Sequence, residues 1–492
     1  MTIRRLPKIV LFIFLALAVT AGGLYGALQL HFYPGPPSAD YPAAATPLEA
    51  QRQDLDYFRR LMRLDRSFVP AARAQAEARI AGLEESAALL APQKLQVALM
   101  QVMALADNGH TRVWITAKGR KANLLPVRVT RFAEGLFVMR ARKEHSDLLG
   151  GRIESIDGVP IGEVLAKLES LRGGTEAYRR DNAAVSIEVQ DLLYGLGIAA
   201  DPHRSAWTVR TTSGATVTEV LAATPMREGE SLASETRWIS PEPLAGMDAD
   251  WLPYRPASAE RPQSLRDFDT YFRRLPVPGS CATYVRMQVI ADDDGQKIAP
   301  FLEATTRELQ ERPPCAVIVD LRYNGGGNYT NTYRFAHRLP ELLAPGGRIY
   351  VLTDPETFSA ALSTAAFIKD AGGGKVVIVG EPVGDRLAFF AEGGSGCLPH
   401  SGYCASYATG KHDYAHPCTD WDACFWLNWI FPVRVKTLQP DEPVALRFSD
   451  WDSGHDMAYE RAVALAAHQA RPNRTAKTKR TGNTGSLLSS TH

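Results

Sequence analysis

An excess of charge of either sign is nearly missing from this chain. Its 492 residues carry 55 Lys and Arg against 54 Asp and Glu, a net charge of +1. So even a balance offers no broad basic face, which argues against nucleic acid or another polyanion as partner. Internal repeats are missing too, which sets solenoids and propellers aside. Cysteine is scarce, six in all, and no Cys-x-x-Cys occurs. An even count suits disulfides in an exported protein. Cys397, Cys404, Cys418 and Cys424 crowd into one segment, where zinc is the competing reading and where pairing cannot be read from sequence. Cys281 and Cys315 stand apart, on two expected strands. No residue pattern calls for a metal or an organic cofactor, and none is expected.

Long apolar runs are absent with one exception. Arg4, Arg5 and Lys8 precede an apolar stretch over 9–30, broken clearly only by Thr20 and Gln29. Positive charge followed by such a run means export, or insertion with the N-terminus in the cytoplasm. The run is about long enough to span a bilayer. Its length favours an uncleaved anchor; the small residues over 16–21 keep a cleaved signal peptide as the alternative. A Pro/Ala/Ser-rich linker follows (33–47), and either reading puts the bulk of the chain outside the cytoplasm.

What is present is globular: 45% hydrophobic and 22% charged residues, enough for two or three domains. Residues 48–107 read as three helices. Apolar positions recur at helical spacing (Leu55, Phe58, Leu61, Met62; Leu95, Val97, Leu99, Met100, Met103), and Pro70 and Pro92 punctuate them. The third ends at Asp107-Asn108-Gly109-His110-Thr111, a turn signal before a strand over 112–116. Alone, a histidine in such a loop is most often a solvated polar residue. Over 125–223, Asp157-Gly158 marks a hairpin turn; helices are expected at 161–171 and 183–196, and strands at 206–211 and 215–221. Residues 227–274 read as an irregular connection. A strand at 283–290 and a helix at 298–311, burying Phe301, Leu302, Thr305 and Leu309, complete the approach to the central stretch.

That stretch opens with Ala316-Val317-Ile318-Val319-Asp320-Leu321-Arg322, a short apolar run typical of a buried parallel strand. Asn324-Gly325-Gly326-Gly327-Asn328 follows, and glycines at a strand end let backbone approach a ligand closely. A second strand, 348–353, runs into Thr357-Phe358-Ser359-Ala360-Ala361 and a small-residue helix. A serine at a strand-to-helix turn has its hydroxyl at the sheet edge and free N–H groups beside it, as a nucleophile and an oxyanion hole require. The plainer reading is an N-capping serine in a tight turn.

The order of Asp320-Leu321-Arg322-Tyr323-Asn324-Gly325-Gly326-Gly327, Thr357-Phe358-Ser359-Ala360-Ala361 and, after the next strand, Gly380-Glu381-Pro382 resembles the tail-specific, or C-terminal-processing, serine peptidases. Tricorn-like proteases and the interphotoreceptor retinoid-binding modules belong to the same family. Supporting pieces run from about residue 45 to residue 465. The resemblance implies an α+β and α/β chain: an N-terminal helical bundle (48–116), a PDZ-like β region (117–225), an irregular connection (226–280) and a mixed α/β, sandwich-like catalytic domain of ClpP/crotonase type (281–470). A Cys-rich insert (397–429) is expected to pack as a stapled subdomain, with a lid as the alternative. His400, His412 and His416 are expected to be polar loop residues. A signal anchor or signal peptide (1–32) and a disordered tail (471–492) frame these parts.

It also implies roles. Ser359 is the expected nucleophile and His110 the expected general base, since an imidazole titrating near neutrality suits a serine proton. Gly326, Gly327 and Ala360 are the expected oxyanion donors, while Asp320 and Arg322 are expected to tie the glycine loop to the sheet. The sequence departs from the family at two places. Asn108 replaces the acid of its Asp-Gly-His-Thr element. Asp385 and Arg386 stand where the bacterial processing proteases carry a catalytic lysine. Arginine stays protonated and cannot serve as that base, so the Ser-His branch is indicated. Its orienting acid is a glutamate after the nucleophile; Glu392 and Asp441 are the candidates. The expected function is an exported serine endopeptidase, periplasmic or extracytoplasmic and anchored through its N-terminal segment, with peptide or protein as substrate. The alternatives are a non-catalytic ligand- or peptide-binding protein on the same fold, and a serine hydrolase of other esters or amides.

Overall fold

A computed structural model describes residues 6–469, apart from 87, 228–238, 241–246, 248, 257–258 and 294. The expected tail at 471–492 and the residues Arg4 and Arg5 lie outside the described residues. The chain begins with helix α1 (Leu6–Phe32), which contains one stretch, Phe12–Phe32, long and apolar enough to cross a membrane.

Helices α2 (Pro47–Leu64), α3 (Pro70–Glu85) and α4 (Pro92–Ala104) follow, each opened by a proline whose missing N–H costs nothing there. Thr46 caps α2 by accepting from Glu49 N at 3.1 Å. Leu55, Phe58, Leu61 and Met62 are buried, as their spacing predicts. One apolar core runs from these helices through the β region beyond them and takes in Tyr403, Ala405 and Tyr407.

The β region is an antiparallel sheet centred on Gly135–Arg142, Arg152–Ile156 and Arg204–Arg210. Asp157 and Gly158 both take positive φ (46° and 78°), making the expected hairpin. The expected helix at 183–196 is two helices, Glu176–Ser186 and Gln190–Gly195. Thr175 starts the first by accepting from Tyr178 N, and Val189 at φ −101°, ψ 101° separates them.

The second layered unit is a six-stranded sheet in the order Phe272–Pro276, Ala282–Met287, Ala316–Asp320, Arg348–Thr353, Val376–Gly380, Glu442–Pro443. Only the first pairing is antiparallel. Strand alternation sends Val317 and Val319 to one face, under the helices Ile298–Glu311, Thr330–Arg338 and Ala360–Gly372. Ala316 and Ile318 face the other side, against Ala458, Ala462 and Ala466 of Met457–Gln469.

All six cysteines are paired, so the zinc reading of the four-cysteine segment is corrected. Cys281–Cys315 joins the entries of two adjacent parallel strands, Cys397–Cys404 crosses an antiparallel pair, and Cys418–Cys424 closes a small loop. The segment after α1 is tied down. Phe32 is buried at 1% exposure, its carbonyl accepts from Thr409 Oγ1 at 2.5 Å, and Pro34 O accepts from Tyr407 OH.

Candidate active site

The strand Arg348–Thr353 ends in a tight turn, Asp354 to Phe358, that delivers Ser359 to the mouth of the helix Ala360–Gly372. Thr357 pins the turn: its hydroxyl donates to Leu321 O at 2.9 Å and its N–H to Asp354 Oδ1 at 2.9 Å. Ser359 sits at φ 53°, ψ −122°, a region that non-glycine residues rarely occupy. The turn lies against the glycine loop, where Phe358 N donates to Asn324 O at 3.1 Å. At Gly326 (φ 109°) a Cβ atom would stand 2.7 Å from Ser359 Cβ and 2.8 Å from Ala360 N. Only glycine permits that approach.

His110 arrives from the opposite unit, on the loop between α4 and the strand Arg112–Ala117. Its Nε2 lies 3.1 Å from Ser359 Oγ. The imidazole is stacked on Phe358 at 4.4 Å and on Phe389 at 5.6 Å between centroids. The loop is fastened at several points: Ser406 Oγ donates to His110 O, and Asn108 Nδ2 donates to Thr111 Oγ1. The latter hydroxyl donates onward to buried Asp65 at 2.5 Å. Asn108 is thus a buried structural residue, 5% exposed.

A carboxylate that sequence reasoning did not cast as the orienting acid completes the cluster. Asp385 Oδ2 lies 3.5 Å from His110 Nδ1. Both atoms are buried, and neither has a hydrogen-bond partner. Asp385 Oδ1 accepts from Arg386 N, and the Arg386 guanidinium grips Asp107 through the carbonyl and Oδ2, both at 2.7 Å. One dipeptide therefore faces the imidazole with its first residue and clamps the histidine loop with its second. The sequence signal for Asp385 was its place, directly after the Gly380–Gly384 turn that follows the strand Val376–Gly380.

The two candidate acids lie elsewhere. Glu392 Oε2 accepts from Tyr33 OH at 2.5 Å, and Oε1 is 3.4 Å from His412 Nε2. Burial acts to raise this carboxyl, but the contacts with His412 and Tyr33 outweigh it and hold it below its ordinary value. His412 is not a loop residue. It lies on the strand Gly410–Asp413, 1% exposed and stacked on Phe389 at 4.9 Å. Asp441 pairs with Lys369 at 3.0 Å and accepts from Ile378 N at 2.9 Å, at the sheet rather than beside His110.

The oxyanion candidates differ among themselves. Ala360 is the first residue of its helix, where N–H groups have no intrahelical acceptor. Gly326 N is committed to Asn324 Oδ1 at 2.9 Å. Gly327 bridges Ile290 in parallel fashion, which turns its own N–H away from that partner. Behind the loop, Arg322 is clamped between Asp320 (2.9 and 2.7 Å) and Asp456 (2.8 and 3.1 Å). Burial acts to raise Asp320, but Arg322 wins and holds it below the usual carboxylate range. Ser359 and His110 open onto a cleft of about 1010 Å³, walled by Tyr33, Trp114, Tyr178, Gly325, Glu356, Phe358 and Glu392, among others. Of the insert 397–429, Ser406 and Tyr407 line the cleft, while none of the lining residues comes from its cysteine-closed part, 410–429. A smaller, more enclosed cavity lies beneath, around Asp354 and Glu381, without Ser359.

No family model matches the sequence, and no curated relative is matched by it. Solved structures are. Mature CPAF complexed with lactacystin superposes with a TM-score of 0.55 at 14% identity, covering 86% of this chain and 99% of that one. Mature CPAF without that compound gives the same score and identity, with 98% of its chain covered. The chain has the CPAF fold. The photosystem II D1 C-terminal processing protease is matched more loosely, with a TM-score of 0.37 at 12% identity, over 80% of this chain and 93% of that one.

Proposed function

We propose that the protein is a serine endopeptidase working through Ser359, His110 and Asp385. The observation that carries this reading is the line of contacts from Ser359 Oγ to His110 Nε2 and from His110 Nδ1 to Asp385 Oδ2, an oxygen with no hydrogen-bond partner. His110 takes the hydroxyl proton as Oγ attacks a peptide carbonyl. The developing oxyanion is held by Ala360 N–H, with Gly327 of the glycine loop opposite. His110 then returns the proton to the leaving amine, and water repeats the sequence on the acyl-enzyme. Asp385 fixes the imidazole tautomer and stabilises the imidazolium.

The finer reading of the fold fits peptide handling. The antiparallel region is read as PDZ-like and the six-stranded unit as ClpP/crotonase-like. A cavity of about 530 Å³ beside the helix Ile161–Glu169, lined by Leu136, Ile161 and Leu165, would take an extended peptide. Three disulfides and the apolar helix α1 support an exported chain held at the membrane by its N-terminal segment.

The test is fluorophosphonate labelling of the full-length protein in detergent, together with cleavage of a denatured protein. Labelling and cleavage that vanish in both Ser359→Ala and His110→Ala are expected. Labelling without cleavage would point to another ester or amide as substrate. A folded wild type that takes no label would sink the hydrolase reading and leave ligand binding.

A further inference from the structure

The segment 418–430, a loop closed by Cys418–Cys424 followed by the turn Trp426–Trp429, packs against the apolar helix and leaves large apolar side chains in the open. Trp421 is 76% exposed, Ile430 56% and Trp429 43%, and the two indoles lie 4.5 Å apart between centroids. Exposed tryptophans in contact are costly in water and mark a surface that another phase or molecule covers.

The helix says which. Trp426, in the same segment, meets Tyr25 edge-on at 6.3 Å. Tyr25 lies seven residues before the end of the apolar stretch Phe12–Phe32, or about 10 Å along a helix. The segment therefore runs beside the last two turns of the stretch rather than beyond it. At its top the contacts turn polar: His31 Nε2 and Arg66 Nη1 each lie 2.7 Å from Asp422 O, and the Asp422 side chain is 80% exposed. Apolar helix below, indoles at its flank and a charged cluster above follow the order of a bilayer's hydrocarbon, interface and water.

We infer that Trp421, Trp429 and Ile430 form an interfacial seat that dips into the outer leaflet beside α1. The partner is a lipid surface, and the inference rests on the reading of α1 as a membrane anchor. Two attachments, a helix and a side patch, fix the orientation of the body above the bilayer where a helix alone would leave it free to swing. Cys418–Cys424 keeps the short loop from splaying, and Phe425 ties it to Phe32 at 5.3 Å. The seat and the cleft thus share the same support, since neighbouring Tyr33 lines the cleft.

The test uses full-length protein reconstituted into phosphatidylcholine vesicles carrying bromine on either shallow or deep acyl carbons. Vesicle flotation reports the anchor; tryptophan quenching reports the seat. Wild type is expected to float and to be quenched more by the shallow bromines. Trp421→Phe/Trp429→Phe, checked for unchanged circular dichroism, is expected to float equally and to lose roughly half or more of the quenchable emission, as interfacial indoles require. Flotation with the same quenching in the double variant, or with none in wild type, overturns the seat and leaves the anchor standing. Failure to float overturns both.

Discussion

His110 Nδ1 and Asp385 Oδ2 face each other at 3.5 Å, buried, each without another partner. Orphaned polar atoms are costly in a protein interior, and in the proposed triad each of these atoms would satisfy the other. Asp385→Asn is therefore expected to lower kcat by about 10⁴-fold, as when a triad acid is replaced by its amide. Glu392→Gln, whose carboxyl serves Tyr33 and His412 instead, is expected to cost less than about 10-fold. Steady-state cleavage of a peptide by the two variants checks the assignment; the reverse ranking would transfer the role to Glu392.

Gly326→Ala places a methyl group 2.7 Å from Ser359 Cβ and 2.8 Å from Ala360 N. Neither atom can withdraw without moving the proposed nucleophile or the proposed oxyanion donor. The expected result is a loss of about 10²- to 10³-fold in kcat, the scale of one lost oxyanion donor. Gly325→Ala, with no atom within 4 Å of the added carbon, is the control and should fold and turn over far better.

Much of this was legible because it is local. The helix Ile298–Glu311 and the strand Ala316–Asp320 follow from periodicity and from apolar runs, and Ser359 from its place between a strand and a small-residue helix. What was not legible is what the fold brings from far away. Tyr33 meets Glu392 across 359 positions, and no local pattern announces that a tyrosine in a Pro-rich stretch will line a cleft. His412 sits in a short stretch of mixed polarity, where period-2 alternation is too brief to betray a buried strand. Asp385 was visible as a departure from a motif, but only its contact with His110 gives it a task.

The Asp320–Arg322–Asp456 clamp makes a pH prediction. Asp320 is depressed when folded, so its stabilisation is complete above the unfolded carboxylate value, near pH 4, and is lost as pH falls through the lower folded value. Asp320→Asn leaves Arg322 short of a buried partner and should cost about 3–5 kcal/mol at pH 7. Thermal melting from pH 7 down to pH 2 should show the variant starting lower and sloping less below pH 4. Parallel curves would mean that another carboxylate governs the acid limb.

Cys281 and Cys315 close a loop between residues 34 positions apart, across the entries of two neighbouring strands. Loop-closure entropy puts the bond at about 3–4 kcal/mol. Cys281→Ser/Cys315→Ser should lose that much in denaturant unfolding. Its fluorophosphonate reactivity per folded molecule should be unchanged, because the bond lies at the opposite end of the strands from Ser359.

Phe32 closes a membrane-type helix and at the same time belongs to the apolar core under the nucleophile's helix. If α1 is the anchor proposed above, no seam separates it from the body of the chain. A chain severed after Tyr33 would carry a hole where the buried phenyl ring of Phe32 belongs, at a cost of about 3–5 kcal/mol, and would lose Tyr33 from the wall of its own cleft. On the anchor reading, release by such a cut would weaken the core and open the cleft wall in the same step.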